Sequence, residues 1–230
     1  MSAKKTLLVL LWFLIAAISV EAKIQVICTA ALADSYYEFR KQQYIDAFTI
    51  LAKYGYSNIF IVEALKKHGP TFLDDYSKHV FYATLNDPSL RNQGINEAIT
   101  LLEACEHFNF EPEDMIIKFT GRHKLISDYF LKIVENNPEF DAFVKVNEDE
   151  NVFTLGFAMK YKYLKEMYQT IDYAGLNEHM IPIEYRVGDY IKRKKREGNF
   201  KVYYLDKLDM TANLLGSTTC VGVAEQILFY

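Results

Sequence analysis

Residues 91–123 open with RNQGINEAITLL, pass through a polar stretch, and finish with MIIKFTGRH. Ile95, Ala98, Ile99, Leu102 and Cys105 recur at helical spacing and predict an amphipathic helix. Pro112 closes that segment, because a proline neither donates a backbone hydrogen bond nor fits inside a helix. Met115–Phe119 (MIIKF) is a short apolar run and predicts a buried strand. A helix feeding a buried strand that ends in polar residues is the repeating unit of an α/β domain.

The same alternation continues on both sides. Lys23–Thr29 (KIQVICT), Asn58–Val62 (NIFIV) and His79–Ala83 (HVFYA) predict three more strands. Between the first two, Ser35-x-x-Glu38 is a capping box. Tyr37, Tyr44, Phe48 and Leu51 then share one helical face, and Gly55 follows as the closing residue. Downstream, a helix over Ser127–Glu135 stops at Asn136-Asn137-Pro138. Phe140–Val146 and Asn151–Ala158 predict a hairpin-like pair of strands. Two helices follow, marked by Tyr161, Leu164, Tyr168 and Ile171 and then by Ile183, Val187, Tyr190 and Ile191. Lys201–Leu205 (KVYYL) predicts a last strand. The expected fold is one α/β domain, Rossmann-like, with a mixed, mostly parallel sheet and flanking helices.

Composition narrows the class. Of 230 residues, 50% are hydrophobic and 15% aromatic, too many for a disordered chain. Ten glycines and five prolines exclude a collagen-like repeat, and three cysteines exclude a disulfide scaffold. Cys28 falls on a predicted strand and Cys105 on a predicted apolar helix face, while Cys220 lies near the C-terminus. Buried free thiols are expected, with one disulfide plus a free thiol as the alternative.

Lys4 and Lys5 precede an uncharged run from Leu7 to Val20, and Val20-Glu21-Ala22 offers small or apolar residues at a cleavage site. That order reads as a secretory signal over residues 1–22 ahead of a domain over 23–230. The run is shorter than the roughly 20 residues of a spanning helix, so a type II anchor is the alternative, and only then is a membrane expected as a partner. Removing residues 1–22 takes the net charge from −4 to −5, which does not suit a general nucleic-acid binder.

The pattern Asn92-x-Gly94-x-x-x-Ala98, leading into a strand that ends Lys118-Phe119-Thr120-Gly121-Arg122-His123, resembles GT-A-fold glycosyltransferases. In that family the strand end carries a D-x-D that holds a divalent metal on the donor's diphosphate. Here Thr120-Gly121-Arg122 stands in its place. The phrase is close to the K-[IL]-T-G-R-Y stretch of a little-characterised group of GT-A-like proteins. In that group a later strand reads like Val152–Lys162.

The resemblance implies a hexosyltransferase-type enzyme that takes a nucleotide sugar and a glycan or protein acceptor. It implies that Thr29, Ala30 and Ala31 face the nucleotide, with Arg40 reaching the same cleft and Asn92, Thr120 and Gly121 beside it. An ordinary strand-to-helix connection explains Thr29–Ser35 equally well.

Strand alternation puts Lys118, Thr120 and Arg122 on one side and Phe119 on the other, while Gly121 permits close backbone approach. A leaving diphosphate is stabilised by a metal or by fixed cations, so Lys118 and Arg122 suit a donor site without metal. Alternatively, Arg122 pairs with Glu63 or Glu184 and ties the sheet end together. Mn²⁺ or Mg²⁺ has no D-x-D to hold it. Glu148 and Glu150, on the turn Asn147–Glu150, are the weak candidates, and a solvated turn explains them too.

For the base that deprotonates an acceptor hydroxyl, the resemblance implies an acidic residue near a helix start in the second half. Glu184 after Pro182 fits, with Glu178 and Asp189 as competitors and favourable charge at a helix N-terminus as the plain reading. Lys192–Arg196 (KRKKR) suits a solvated helix end or an anionic surface. No G-x-S-x-G, H-E-x-x-H, Walker loop, kinase set or G-x-G-x-x-G is present. The alternative to an enzyme is a non-catalytic GT-A-like domain, secreted or lumenal, that binds a glycan or protein partner.

Overall fold

Alternation along two adjacent strands decides which side chains meet in this protein. The computed structural model describes residues 22–34, 37–67, 69–85, 87, 90, 92–148, 151–212 and 226–228. Strand β1 (Ile24–Ala30) pairs in parallel with β4 (Met115–Thr120), setting Ile27 opposite Lys118 and Thr29 opposite Thr120. Val26, Cys28, Ile117 and Phe119 point to one face of the sheet, and Ile27 and Ile116 to the other. The period of two therefore sends Lys118 and Thr29 to the second face.

Strands β2 (Phe60–Glu63) and β3 (His79–Tyr82) extend the sheet from β1 in parallel. On the other side of β4 run β6 (Gly156–Lys160), β5 (Ala142–Val144) and β7 (Val202–Tyr204). The order is β3-β2-β1-β4-β6-β5-β7, and β6 alone is antiparallel to both its neighbours. The expected α/β domain with a mixed, mostly parallel sheet is the one observed.

Helices cover both faces. On the first lie α1 (Tyr37–Lys53) and α3 (Tyr129–Asn136), which bring Tyr44, Phe48, Phe130 and Val134 onto Phe119 and Phe143. Gly55 adopts φ 95° just after α1, a left-handed conformation that glycine takes without steric cost. On the second lie α2 (Gln93–Phe108), α4 (Tyr161–Gln169) and α6 (Ile183–Glu197), with Leu101, Leu164 and Val187 packed on Ile116 and Met159. Met115, Ile116 and Ile117 are at most 7% exposed, so both faces of the central strand are core.

Three features depart from the sequence expectation. A short helix, α5 (Tyr173–His179), precedes α6; it has seven residues and buries only Leu176, too little to leave a periodic signal. Two three-residue strands, β8 (Met210–Ala212) and β9 (Gln226–Leu228), form a separate antiparallel pair. The hairpin-like pair is antiparallel as read, but its strands are shorter and β6 begins at Gly156. Val146 and Val152 meet only as an isolated bridge, and the described residues between them, 147, 148 and 151, are not strand. Ser35, Glu150 and Cys220 lie outside the described residues, as do residues 1–21.

Candidate functional site

The carboxyl end of β4 opens into a cleft of about 410 Å³, and the carboxyl ends of strands are where α/β sheets commonly bind ligands. Asn92, Glu97, Lys118, Thr120, Arg122, Thr154 and Glu184 bring polar groups to it, beside Tyr168 and Ile183. Five of these, Asn92, Lys118, Thr120, Arg122 and Glu184, are residues the sequence had singled out.

Asn92 shapes the near wall. Its Oδ1 accepts from the Gly94 N–H at 3.1 Å and so caps α2. Its Nδ2 donates to the Ile181 carbonyl at 2.7 Å, tying α2 to the segment that leads into α6.

The floor is an ion pair. Lys118 is 2% exposed, and its Nζ lies 2.6 Å from Glu97 Oε1. The same ammonium donates to Thr120 Oγ1 at 3.1 Å and to the Thr154 carbonyl at 2.9 Å. An ammonium has three donors, and these partners use all three. Lys118 is therefore a structural cation, and Arg122 brings a second positive charge to the cleft. Thr29 completes the floor by donating from Oγ1 to Glu97 Oε1 at 2.9 Å.

Burial works against ionisation of Glu97, but Lys118, the Thr29 hydroxyl and Arg122 outweigh it and hold its carboxyl below its ordinary value. Glu97 went unnoticed in the sequence, although it lies three residues after Gly94 and one before Ala98, within the quoted pattern. Thr154 was also missed. Its hydroxyl donates to Glu184 Oε1 at 2.8 Å, on the first turn of α6.

Beneath the cleft, His123 is 3% exposed. Burial, reinforced by the charges of Arg122 and Lys118, pushes its imidazole well below the ordinary value, so it stays neutral.

Other singled-out residues fall elsewhere. Thr29 reaches the site through its bond to Glu97, while Ala30 is buried in the core on the first face. The Ala31 N–H donates to the Tyr44 hydroxyl at 2.8 Å, and its carbonyl accepts from Arg40 Nη1 at 2.6 Å. Arg40 thus braces the loop after β1 from a buried position and does not line the cleft. Gly121 lies where a Cβ would come within 3.0 Å of the Thr29 carbonyl, so its role is backbone contact. Glu178 and Asp189 are exposed and do not line the cleft. Glu148 is exposed on its turn.

Glu63 is fully buried at the end of β2 and accepts N–H donors from Leu32, Leu65 and Lys66 at 2.8–3.2 Å. It serves as a clamp between two loops. At the end of β4 the donor set is a threonine, a glycine and an arginine, which does not fit a hard divalent cation. Among the described residues, no group of three or more histidine, cysteine or carboxylate side chains converges in metal-binding geometry.

No family model and no curated protein matches the chain. Among solved structures it is similar to a glycosyltransferase involved in the glycosylation of the major capsid of PBCV-1. That likeness has a TM-score of 0.47 at 10% identity and covers 78% of this chain and 82% of the other.

Proposed function

We propose that the cleft is the donor site of a glycosyltransferase that moves a sugar, of hexose type, from a nucleotide donor to a glycan or protein acceptor. The observation that carries this reading is the meeting of Arg122 and Glu184 at the carboxyl end of the sheet, over the Glu97–Lys118 ion pair. In the reaction, the acceptor oxygen forms a bond to the anomeric carbon as the bond to the diphosphate breaks. The diphosphate leaves with the electron pair, and the Arg122 guanidinium is placed to share its charge without a metal. The Glu184 carboxylate takes the acceptor's proton, with the Thr154 hydroxyl fixing one of its oxygens. Lys118 acts through Glu97, Thr120 and Thr154 as a positioning residue.

An export signal over residues 1–22 suits this reading in a eukaryotic secretory lumen, where nucleotide sugars are available, and not in a bacterial periplasm. Trp12 is the only tryptophan of the chain. Cleavage after Ala22 leaves a protein with tyrosine-type emission alone, and an anchored protein keeps the tryptophan signal.

The direct test is a thermal-shift series with UDP, GDP and CMP and their sugars, each with Mn²⁺ and with EDTA. A rise for one nucleotide class that survives EDTA and disappears in Arg122→Gln supports the reading. A rise that requires Mn²⁺ removes the metal-free version. No rise with any nucleotide removes the donor site and leaves a non-catalytic binding domain.

A further inference from the structure

A second cavity, of about 620 Å³, lies along the C-terminal half of α6. Its buried floor is apolar, including Val152 and Ile191, and its wall carries Lys192, Lys195 and Arg196. The aromatic side is Tyr204, the last residue of the edge strand β7 and 43% exposed. Lys195 Nζ donates to the Tyr204 hydroxyl at 3.0 Å and stands 4.7 Å from the ring centroid. Tyr204 thereby fixes one cation at the mouth instead of leaving it to sweep through solvent.

These cations belong to the run Lys192–Arg196 in a chain of net charge −4, so positive charge is concentrated on one helix end. Asp189 and Glu197 adjoin cavity residues in sequence, but their ion pairs are with Arg186 at 3.3 Å and Lys194 at 2.8 Å, neither of which lines the cavity, and Glu148 is exposed on its turn. From Glu184 to Lys195 the helix rises about 16 Å, so this cavity is distinct from the cleft.

We infer that the cavity binds a phosphate monoester carried on an apolar or ring-bearing body. A phosphate monoester presents three acceptor oxygens, which suit two ammonium groups and one guanidinium fork. A carboxylate carries one negative charge, whereas a phosphate monoester carries close to two at neutral pH and matches a cluster of cations better. The apolar floor and the Tyr204 ring cover the rest of the ligand, which bare inorganic phosphate lacks. The chemistry is shared by a soluble aryl or sugar phosphate and by a phospholipid headgroup, so the test separates the two.

The experiment uses the full chain. Phenyl phosphate and inorganic phosphate are titrated by calorimetry, and phosphatidylcholine vesicles with and without phosphatidic acid are tested by co-sedimentation. Phenyl phosphate binds more tightly than inorganic phosphate, weakens with salt, and loses about tenfold or more in the variant K192Q/K195Q/R196Q. Arg122→Gln leaves that binding unchanged, which separates it from the donor cleft. Arg196→Gln, at an exposed position, gives a partial loss and keeps the test open if the triple variant does not fold. Co-sedimentation that requires phosphatidic acid and is lost in the triple variant assigns a lipid source, and phenyl phosphate binding without it assigns a soluble one. The inference is overturned if neither probe binds, or if the folded triple variant binds phenyl phosphate as tightly as the parent.

Discussion

Lys118 and Glu97 form an ion pair of 2.6 Å that joins the central strand β4 to helix α2 beneath the cleft. The lysine side chain is 3% exposed and the glutamate 35%, so one charge is buried and the other opens to the cleft. Removing Glu97 strands the buried ammonium on two neutral acceptors. Glu97→Gln is expected to cost about 1–3 kcal/mol, below the value for a fully buried pair because water reaches the glutamate. Lys118→Met, an apolar side chain of similar length, costs less than Lys118→Ala. Urea denaturation of both single variants and the double variant gives the coupling, and a value near zero removes the pair as a structural element.

Acid stability follows from the same pair. The Glu97 carboxyl is held below its ordinary value of 4.5 in the folded protein, so the unfolded chain takes up that proton first. The contribution is complete above the unfolded pKa and is lost as pH falls through the lowered folded value. Glu63 acts in the opposite sense. Burial raises its carboxyl against the pull of the Lys66, Leu65 and Leu32 N–H groups. Its contribution is complete below the unfolded pKa and declines as pH rises through the folded one. Glu97→Gln therefore flattens the acid limb of a urea-midpoint profile, whereas Glu63→Gln does not. Identical acid limbs for parent and Glu97→Gln contradict the assignment.

Gly121 closes β4 against β1, and its N–H donates to the Thr29 carbonyl at 2.8 Å. An added Cβ meets that carbonyl at 3.0 Å, and Cys28 Cβ and Tyr44 Cδ1 at 3.3 Å. The first contact is backbone within the sheet and yields little. Gly121→Ala is expected to destabilise the protein by about 1–3 kcal/mol and Gly121→Val by more. Calorimetric melting of the two variants orders them, and a neutral alanine shows that the strand end shifts freely.

The central strands were legible in the sequence because they are buried on both faces. Runs such as MIIKF and NIFIV have no competing helical reading at that length. Lys118 shows where legibility ends. Its place on the same side as Thr120 and Arg122 follows from alternation, but that its three donors are consumed depends on Glu97 from α2 and the Thr154 carbonyl. The latter two contacts lie outside any local pattern. Glu97 itself is one of three unspecified positions between Gly94 and Ala98, and only the register of β1 against β4 turns it toward Thr29. The resemblance implied that Arg40 reaches the cleft, whereas its side chain turns back to the Ala31 carbonyl. Short elements such as α5 bury too few residues to carry a period.

Cys28 and Cys105 are free and lie in core clusters on opposite faces of the sheet, so they do not pair with each other. Burial pushes both thiols up to about 12. A thiol in that state holds almost no thiolate at neutral pH and reacts slowly. Neither is expected to react with a thiol-specific reagent in the native protein, and both react at once in denaturant. Peptide mapping after brief native labelling checks this, and modification at either position under native conditions contradicts the burial.

Glu184 and Thr154 give the sharpest test of the proposed chemistry. Their 2.8 Å hydrogen bond fixes one carboxylate oxygen, and the second remains for an acceptor hydroxyl. Once the donor class is known, Glu184→Gln is expected to lower kcat by about 10²–10⁴ with little change in donor KM, because a general base acts in the transition state. Thr154→Val leaves the base in place but unfixed, and about tenfold is expected. Arg122→Gln instead raises donor KM as well as lowering kcat, since a guanidinium on the diphosphate acts in both states. If Glu184→Gln keeps full activity, the base lies elsewhere and the cleft's second carboxylate, Glu97, becomes the residue to replace.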